Sequence, residues 1–466
     1  MKYKSIGASD TVTGSAHLIF SDDGFECLLD FGMFQGLGKE SSERNSHLGI
    51  NPSRLKAVLL SHAHIDHSGR LPLLVKQGYT GPIYATSGTF DLCRILLLDS
   101  AHIQEADVRY VNKYLKHKGQ QLREPLYTVH DAERCLKQFK PLPYRNKFSL
   151  HPGITFQFIH NGHITGSAAI ELEWQKPEPK KLLYTGDVGR YQDLLLKHPE
   201  PFDKVDFIIT ESTYGDRLHE PAIELESNLL NLINTICIQQ KGKLFIPAFS
   251  LGRTQELVFI MDRLKNKGLW PSIPVFVDSP LSCNATQIVR SHTECFNSSL
   301  SDYIKTDPDP FGFNQLRYVN ERKDSKILNQ MQGPAIIISA SGMADAGRIK
   351  HHLLNGLFDE KNAVLMVGYC SPGSLGHQLM QGQKEVRIFG QTIGVKASIH
   401  SISSLSAHAD ARELLQYLTS QDPKTVKRIF LVHGEEAVKK DFKNRLRRIG
   451  FQDVEIPVKT KTYNLF

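Results

Sequence analysis

Short apolar runs ending in polar, glycine-containing turns recur along the whole chain. They fall at 55–60, 154–159, 181–184, 205–209, 243–246, 335–338, 363–367 and 428–432, and are rich in Val, Ile, Leu and Phe. Runs of this kind, bounded by Gly, Ser, Asn or Asp, predict β-strands. Between several of them apolar positions recur at helical spacing, which predicts helices over 89–108, 131–139, 225–239, 254–265, 409–419 and 436–449. Helix and strand mixed throughout predict an α/β (α+β) fold of layered sheets covered by helices. No short-period repeat or low-complexity tract breaks the pattern.

At 466 residues the chain has room for roughly two to four domains, or for one large domain carrying an insertion. Hydrophobic residues make 40% and charged residues 23%, enough for sizeable cores, and exclude collagen-like and disordered classes. No apolar run approaches the ~20 residues of a membrane span. The first 20 residues lack the apolar stretch of a secretory signal. The seven cysteines are odd in number, scattered and free of CxxC pairs. That pattern points to reduced thiols and a cytoplasmic location, and away from a disulfide frame or a cysteine-rich zinc module. A formal net charge of +7 permits a polyanionic partner without demanding one. Basic residues crowd 424–461, as they would in a basic amphipathic helix closing a domain.

The densest chemistry is His62-Ala63-His64-Ile65-Asp66-His67, directly after an apolar strand. Four ligand-type residues in six positions suit zinc-like ions better than a core. One turn can aim His62 and His64 at one ion, and Asp66 and His67 at another. His163 also follows a strand, and reads either as a further ligand or as a structural histidine. Asp187, in Thr185-Gly186-Asp187, reads as a carboxylate bridging ions ~3.5–4 Å apart, or as a simple Asp turn. Asp30 ends an apolar strand and could orient a ligating histidine. Histidine-bearing turns cluster before 211 and return only at His408 and His433, which suggests one domain inserted into another.

Taken in order, Asp30, HAHIDH at 62–67, His163 and Asp187 resemble the signature of the metallo-β-lactamase superfamily. TESTYG at 210–215, SAHAD at 406–410 and HGE at 433–435 resemble the added motifs of its nucleic-acid-processing β-CASP branch. LGRTQEL at 251–257, SASGM at 339–343 and GYCSPGSLGHQL at 368–379 are similar to that branch too. The likeness reaches the endonuclease that cleaves pre-mRNA 3′ ends and its prokaryotic counterparts. It implies a four-layer αββα metallo-β-lactamase core formed by 1–210 and 391–466, split by a β-CASP domain at 211–390, with the site in the cleft between them. It implies two Zn2+, one held by His62, His64 and His163, the other by Asp66, His67 and His433, with Asp187 bridging. It further implies an acid–base pair of Glu211 and His408, with Asp66 counted among the catalytic residues.

The activity so implied is zinc-dependent hydrolysis of phosphodiester bonds in single-stranded RNA, leaving 5′-phosphate and 3′-hydroxyl ends. His433 favours RNA over DNA by resemblance alone. The chain shows neither the N-terminal RNA-binding extension of archaeal relatives nor the C-terminal extension of bacterial exonucleases. Internal cutting is therefore expected, with substrate captured by the two domains or by a partner, and with a homodimer as one open assembly. The loop of Ser339, Ser341 and Gly342 could present backbone N–H groups to phosphate, or be an ordinary strand–helix turn. Arg253 could pair with a phosphate or be a surface arginine. Competing activities are a 5′ exoribonuclease, a DNA nuclease, a small-molecule metallo-hydrolase and an inactive RNA-binding subunit.

Overall fold

The computed structural model describes residues 1–36, 38–219, 224–368, 370–371, 373–402, 405–459 and 461–465. Tyr369 and Pro372, inside the 368–379 motif, lie outside the described residues. The chain folds as two compact units, one of 1–218 with 408–466, the other of 219–407.

The first unit holds two seven-stranded sheets. One runs Thr462–Asn464, Lys2–Gly7, Ala16–Phe20, Glu26–Leu29, Ala57–Leu59, Ile83–Ala85, Phe139–Pro141. The other runs Val454–Glu455, Arg428–Leu431, Phe207–Thr210, Lys180–Tyr184, Ala168–Trp174, Ile154–His160, Phe148–His151. Their inner faces share one core, in which Tyr3, Ile19 and Phe25 meet Phe156, Leu172 and Phe207. Alternate residues of the second sheet, such as Ile159, Leu183 and Ile208, face the other way. They pack under Leu414 and Tyr417 of the Ala411–Leu418 helix and Phe442 and Leu446 of the Glu436–Arg448 helix. The period-2 alternation of strands thus feeds two cores, which is the αββα layering.

In the second unit all pairings of a six-stranded sheet are parallel. Its order is Leu316–Tyr318, Val275–Val277, Ala335–Ser339, Lys243–Pro247, Ala363–Met366, Ser398–Ser401. Central strands such as Ala335–Ser339 are buried at every position, as a parallel sheet covered on both faces requires. The resemblance implies a return to the first domain at 391; in the structure Ser398–Ser401 still pairs with Ala363–Met366, and the first unit resumes at 408.

The basic segment near the C-terminus is a packed helix whose cations are partly consumed by the fold. Lys439 is fully buried with Nζ on the Ser9 carbonyl, and Arg445 binds Asp441 (2.6 Å) and the Asp216 carbonyl (3.0 Å).

Candidate metal centre

Each predicted ligand loop leaves the C-terminal end of a strand in the first unit. Ala57–Leu59 leads to His62, Ile154–His160 to His163, Lys180–Tyr184 to Asp187, Phe207–Thr210 to Glu211 and Arg428–Leu431 to His433. Backbone bonds pin these loops together. Ala409 N–H donates to the Val188 carbonyl (2.8 Å), Ser212 N–H to that of His433 (3.2 Å) and Gly189 N–H to that of Asn161 (2.8 Å). The Asn161 side chain donates to the carbonyls of Thr185 and Asp187, both at 2.7 Å. Asp410 caps the following helix, accepting from Arg412 N–H (2.9 Å) and Glu413 N–H (3.0 Å), and so fixes the chain two residues after His408.

Two donor sets result. His64 Nδ1 lies 3.2 Å from His62 Nε2 and 3.1 Å from His163 Nε2. Asp187 Oδ2 lies 3.5 Å from His62 Nε2 and 3.6 Å from His163 Nε2. Four donors at ~2.0–2.1 Å from a tetrahedral ion stand about 3.3–3.4 Å apart, so this set has the right size for zinc. In the second set His433 Nε2 lies 3.3 Å from both Asp66 Oδ2 and His67 Nε2, and His67 Nε2 lies 3.2 Å from Asp187 Oδ1. The two oxygens of Asp187 therefore face different sets. Asp187 Oδ1 is buried with no hydrogen bond of good geometry, an orphan that a cation satisfies. A cluster of imidazoles and ionised carboxylates with its nitrogens a little over 3 Å apart fits divalent ions and fits little else.

Neighbouring groups set the tautomers. Asp30 accepts from Ser61 N–H (2.7 Å), Ser61 Oγ–H (2.6 Å), Tyr184 O–H (2.6 Å) and His67 Nδ1 (2.7 Å). His67 thus carries its proton on Nδ1 and turns the Nε2 lone pair inward. Ser61 has given its own proton to Asp30, so at 3.0 Å it accepts from His62 Nδ1, with the same consequence. Thr213 Oγ1 donates to the His433 carbonyl (3.2 Å) and accepts from His433 Nδ1 (3.1 Å). Sequence reasoning found Asp30 but missed Ser61, Tyr184, Thr213 and Asn161; the Asn161-Gly162-His163 turn was the one available signal.

Burial lowers the His62 pKa well below the ordinary range and brings His64 to about 4, keeping both neutral. Burial raises the Asp66 carboxyl, but the His433 hydrogen bond and nearby imidazoles outweigh it and bring it down to about 2. Both directions leave ligand-competent forms at neutral pH.

Glu211 and His408 meet beside Asp187. His408 Nδ1 lies 3.1 Å from Glu211 Oε2 and 4.0 Å from Asp187 Oδ2, while Glu211 Oε1 accepts from Val188 N–H at 2.5 Å. Burial opposes the His408 cation, yet the Glu211 charge and hydrogen bond raise its pKa to about 9; ions beside Asp187 would push it back down. His62 and His67 are buried to the last percent, whereas the His408 and Asp66 side chains are 21% and 18% exposed and form the accessible edge.

The residues expected to contact phosphate lie in the second unit. Ser339 is buried and its Oγ donates to the Asp278 carbonyl (2.8 Å). Ser341 Oγ accepts from Ala346 N–H (3.3 Å), and a Cβ on Gly342 would meet the Phe249 ring at 2.7 Å. Arg253 is a buried residue at the first turn of the Arg253–Asn266 helix, paired with Glu256, so it is not a surface arginine.

Three family models match the chain: a metallo-beta-lactamase superfamily domain over 19–211, a Beta-Casp domain over 254–379 and a Zn-dependent metallo-hydrolase RNA specificity domain over 392–457. The last holds His408 and His433. Ribonuclease TTHA0252 of Thermus thermophilus is 34% identical over 94% of this chain and 94% of its own length. An RNase J-like protein of Methanocaldococcus jannaschii is 31% identical over 88% of this chain and 86% of its own. Transcription termination factor FttA of the same organism is 31% identical over 87% of this chain, which spans only 62% of that factor. A solved structure of a protein of unknown function from Enterococcus faecalis V583 aligns over 100% of the chain and 99% of its own, at a TM-score of 0.54 and 12% identity, a likeness of fold alone. The chain belongs to the metallo-β-lactamase superfamily, in its β-CASP branch, and is a metal-dependent hydrolase.

Proposed function

We propose that this protein is a two-zinc ribonuclease that cuts single-stranded RNA internally and leaves 5′-phosphate and 3′-hydroxyl ends. The observation that carries the reading is Asp187, whose Oδ2 and Oδ1 face two separate donor sets. His62, His64 and His163 would hold one ion, and Asp66, His67 and His433 the other. A pair of divalent ions supplies Lewis acidity at phosphate oxygens and a water nucleophile at neutral pH. His408 is the group for the leaving oxygen: with Nδ1 held on Glu211, its Nε2 side donates the proton that the departing ribose 3′ oxygen needs. Cleavage of that P–O bond leaves the phosphate on the 5′ end of the downstream fragment.

RNA as substrate is supported by the RNA-specificity match over 392–457 and by the ribonuclease name of the Thermus relative. The recessed ligands support a single strand, because a flexible backbone can bend a phosphate inward where a stiff duplex cannot. Internal cutting follows the likeness to the pre-mRNA endonuclease, and a closed circular RNA tests it. Wild-type protein should linearise the circle and Asp66→Ala should not. A circle that survives while a linear 5′-phosphorylated strand shortens stepwise would make the protein an exonuclease. Equal cleavage of a matched DNA would widen the substrate beyond RNA.

A further inference from the structure

The Ser87–His117 helix starts at the metal centre and leaves it. Thr86 and Thr89 hydroxyls both donate to the Gly166 carbonyl in the His163 loop. With 31 residues the helix is about 46 Å long. Its fully buried residues are Gly88, Thr89, Leu92, Cys93, Leu97 and Ala101; beyond them Gln104, Glu105, Val108, Val111, Asn112 and Leu115 are half-buried along one side, and the rest of the C-terminal half is exposed. The returning segment touches that half through Glu105, which accepts from Val129 N–H (2.9 Å), and through Asn112, whose side chain exchanges two 2.9 Å hydrogen bonds with the Arg123 backbone.

Residues 108–123 contain five Lys or Arg and no Asp or Glu, in a chain whose net charge is only +7. Arg109, Lys113 and Lys116 recur at spacings of four and three, on one exposed stripe. Beside it stand Tyr110, 80% exposed, and Tyr114, 60% exposed, with Lys118 Nζ 4.5 Å from the Tyr114 ring centre. Glu105 lies 3.6 Å from a largely exposed Arg109, and Asp107 and Glu124 flank the basic run on either side.

Like charges four apart oppose helix formation, and in this half only the half-buried stripe of Val108, Val111 and Leu115 offsets them. A polyanion removes that repulsion. A protein interface is a poor occupant, because interface cores are depleted in Lys. Cations beside exposed aromatic rings are the pairing that grips single strands, phosphates on the charges and bases on the rings. We infer that the exposed half of this helix is a second RNA-binding site, which holds the substrate strand at a distance from the metal centre. This rests on the ribonuclease reading.

From Gly88 to Arg109 the helix covers about 32 Å, which a stacked strand at ~3.4 Å per nucleotide spans with roughly ten nucleotides. Long substrates should therefore feel the site and very short ones should not. The test compares a tetranucleotide with an unstructured 20-nucleotide RNA, using the zinc-loaded full chain. The variants are Arg109→Gln with Lys113→Gln and Lys116→Gln, and separately Tyr110→Ala with Tyr114→Ala. For the 20-mer, KM should rise about tenfold in each, with kcat within about twofold. The charge variant should also lower the salt slope of 20-mer binding by about 2, at ~0.7 per lost phosphate contact. Tetranucleotide cleavage, zinc content and melting temperature should stay at wild-type values, which separates lost capture from lost folding. A 20-mer KM unchanged in both variants overturns the inference while leaving the ribonuclease reading intact. So does a change in oligomer size, with KM unchanged, on tyrosine replacement; that marks a protein contact. Wild-type protein that cleaves and binds neither RNA overturns both.

Discussion

His408 Nδ1 lies 4.0 Å from Asp187 Oδ2 and 3.1 Å from Glu211 Oε2, close enough for one reaction. Substituting His408→Ala should keep zinc and lower the single-turnover cleavage rate by about 10²–10⁴; zinc lost in that variant would move His408 among the ligands. In metal-free protein the Glu211 partnership raises the His408 pKa to about 9. A raised histidine pKa adds stability that is full below its unfolded value near ~6.5 and is lost as pH rises through the folded value. The melting-temperature advantage of metal-free wild type over His408→Gln should therefore shrink between about pH 6.5 and pH 10. Asp30 accepts four hydrogen bonds and fixes the His67 ring, so Asp30→Asn should weaken zinc binding by about 10–100-fold in a chelator competition. The cluster of His62, His64, Asp66 and His67 stood out because histidine and aspartate crowded at such spacing have few other uses, whereas His163 and Asp187 taken alone also read as structural residues. Ser61, Tyr184 and Thr213 did not stand out, because a hydroxyl that sets a tautomer is as common in sequence as one that does nothing.

The strand-end loops depend on close backbone approaches as much as on ligands. A Cβ on Gly32 would come within 1.5 Å of the Asp66 carbonyl oxygen, at the turn that carries Asp66 and His67. Gly32→Ala should displace that turn and empty one site, read as a fall toward one zinc per chain with the circular dichroism of the fold retained. The eight apolar runs all lie on strands, and the helix at 436–449 is found at Glu436–Arg448. The helix read over 89–108 extends from Ser87 to His117, because full burial ends at Ala101 and Val108, Val111 and Leu115 carry the helical spacing on only half-buried. Lys2–Gly7, which hydrogen-bonds to the C-terminal Thr462–Asn464, carried no legible signal, since its alternation is short and its partner is at the other end of the chain.

At the scale of the molecule the chain brings residues 366 positions apart, His67 and His433, within 3.3 Å, and every ligand-type residue of the centre belongs to the first unit. His433 could be assigned from sequence only through family resemblance, because no local pattern distinguishes one histidine after a strand from another. The sheet order explains the assembly: Arg428–Leu431 lies beside Phe207–Thr210, so the residues after both strands, His433 and Glu211, emerge at one edge. The account stands on two ions acting together on RNA. Metal-free protein titrated with zinc, with cleavage of an unstructured RNA as the readout, tests it most directly. Activity should be absent at the start and reach its plateau at two equivalents per chain. A plateau at one equivalent, or a fully loaded protein that leaves RNA intact, would contradict it.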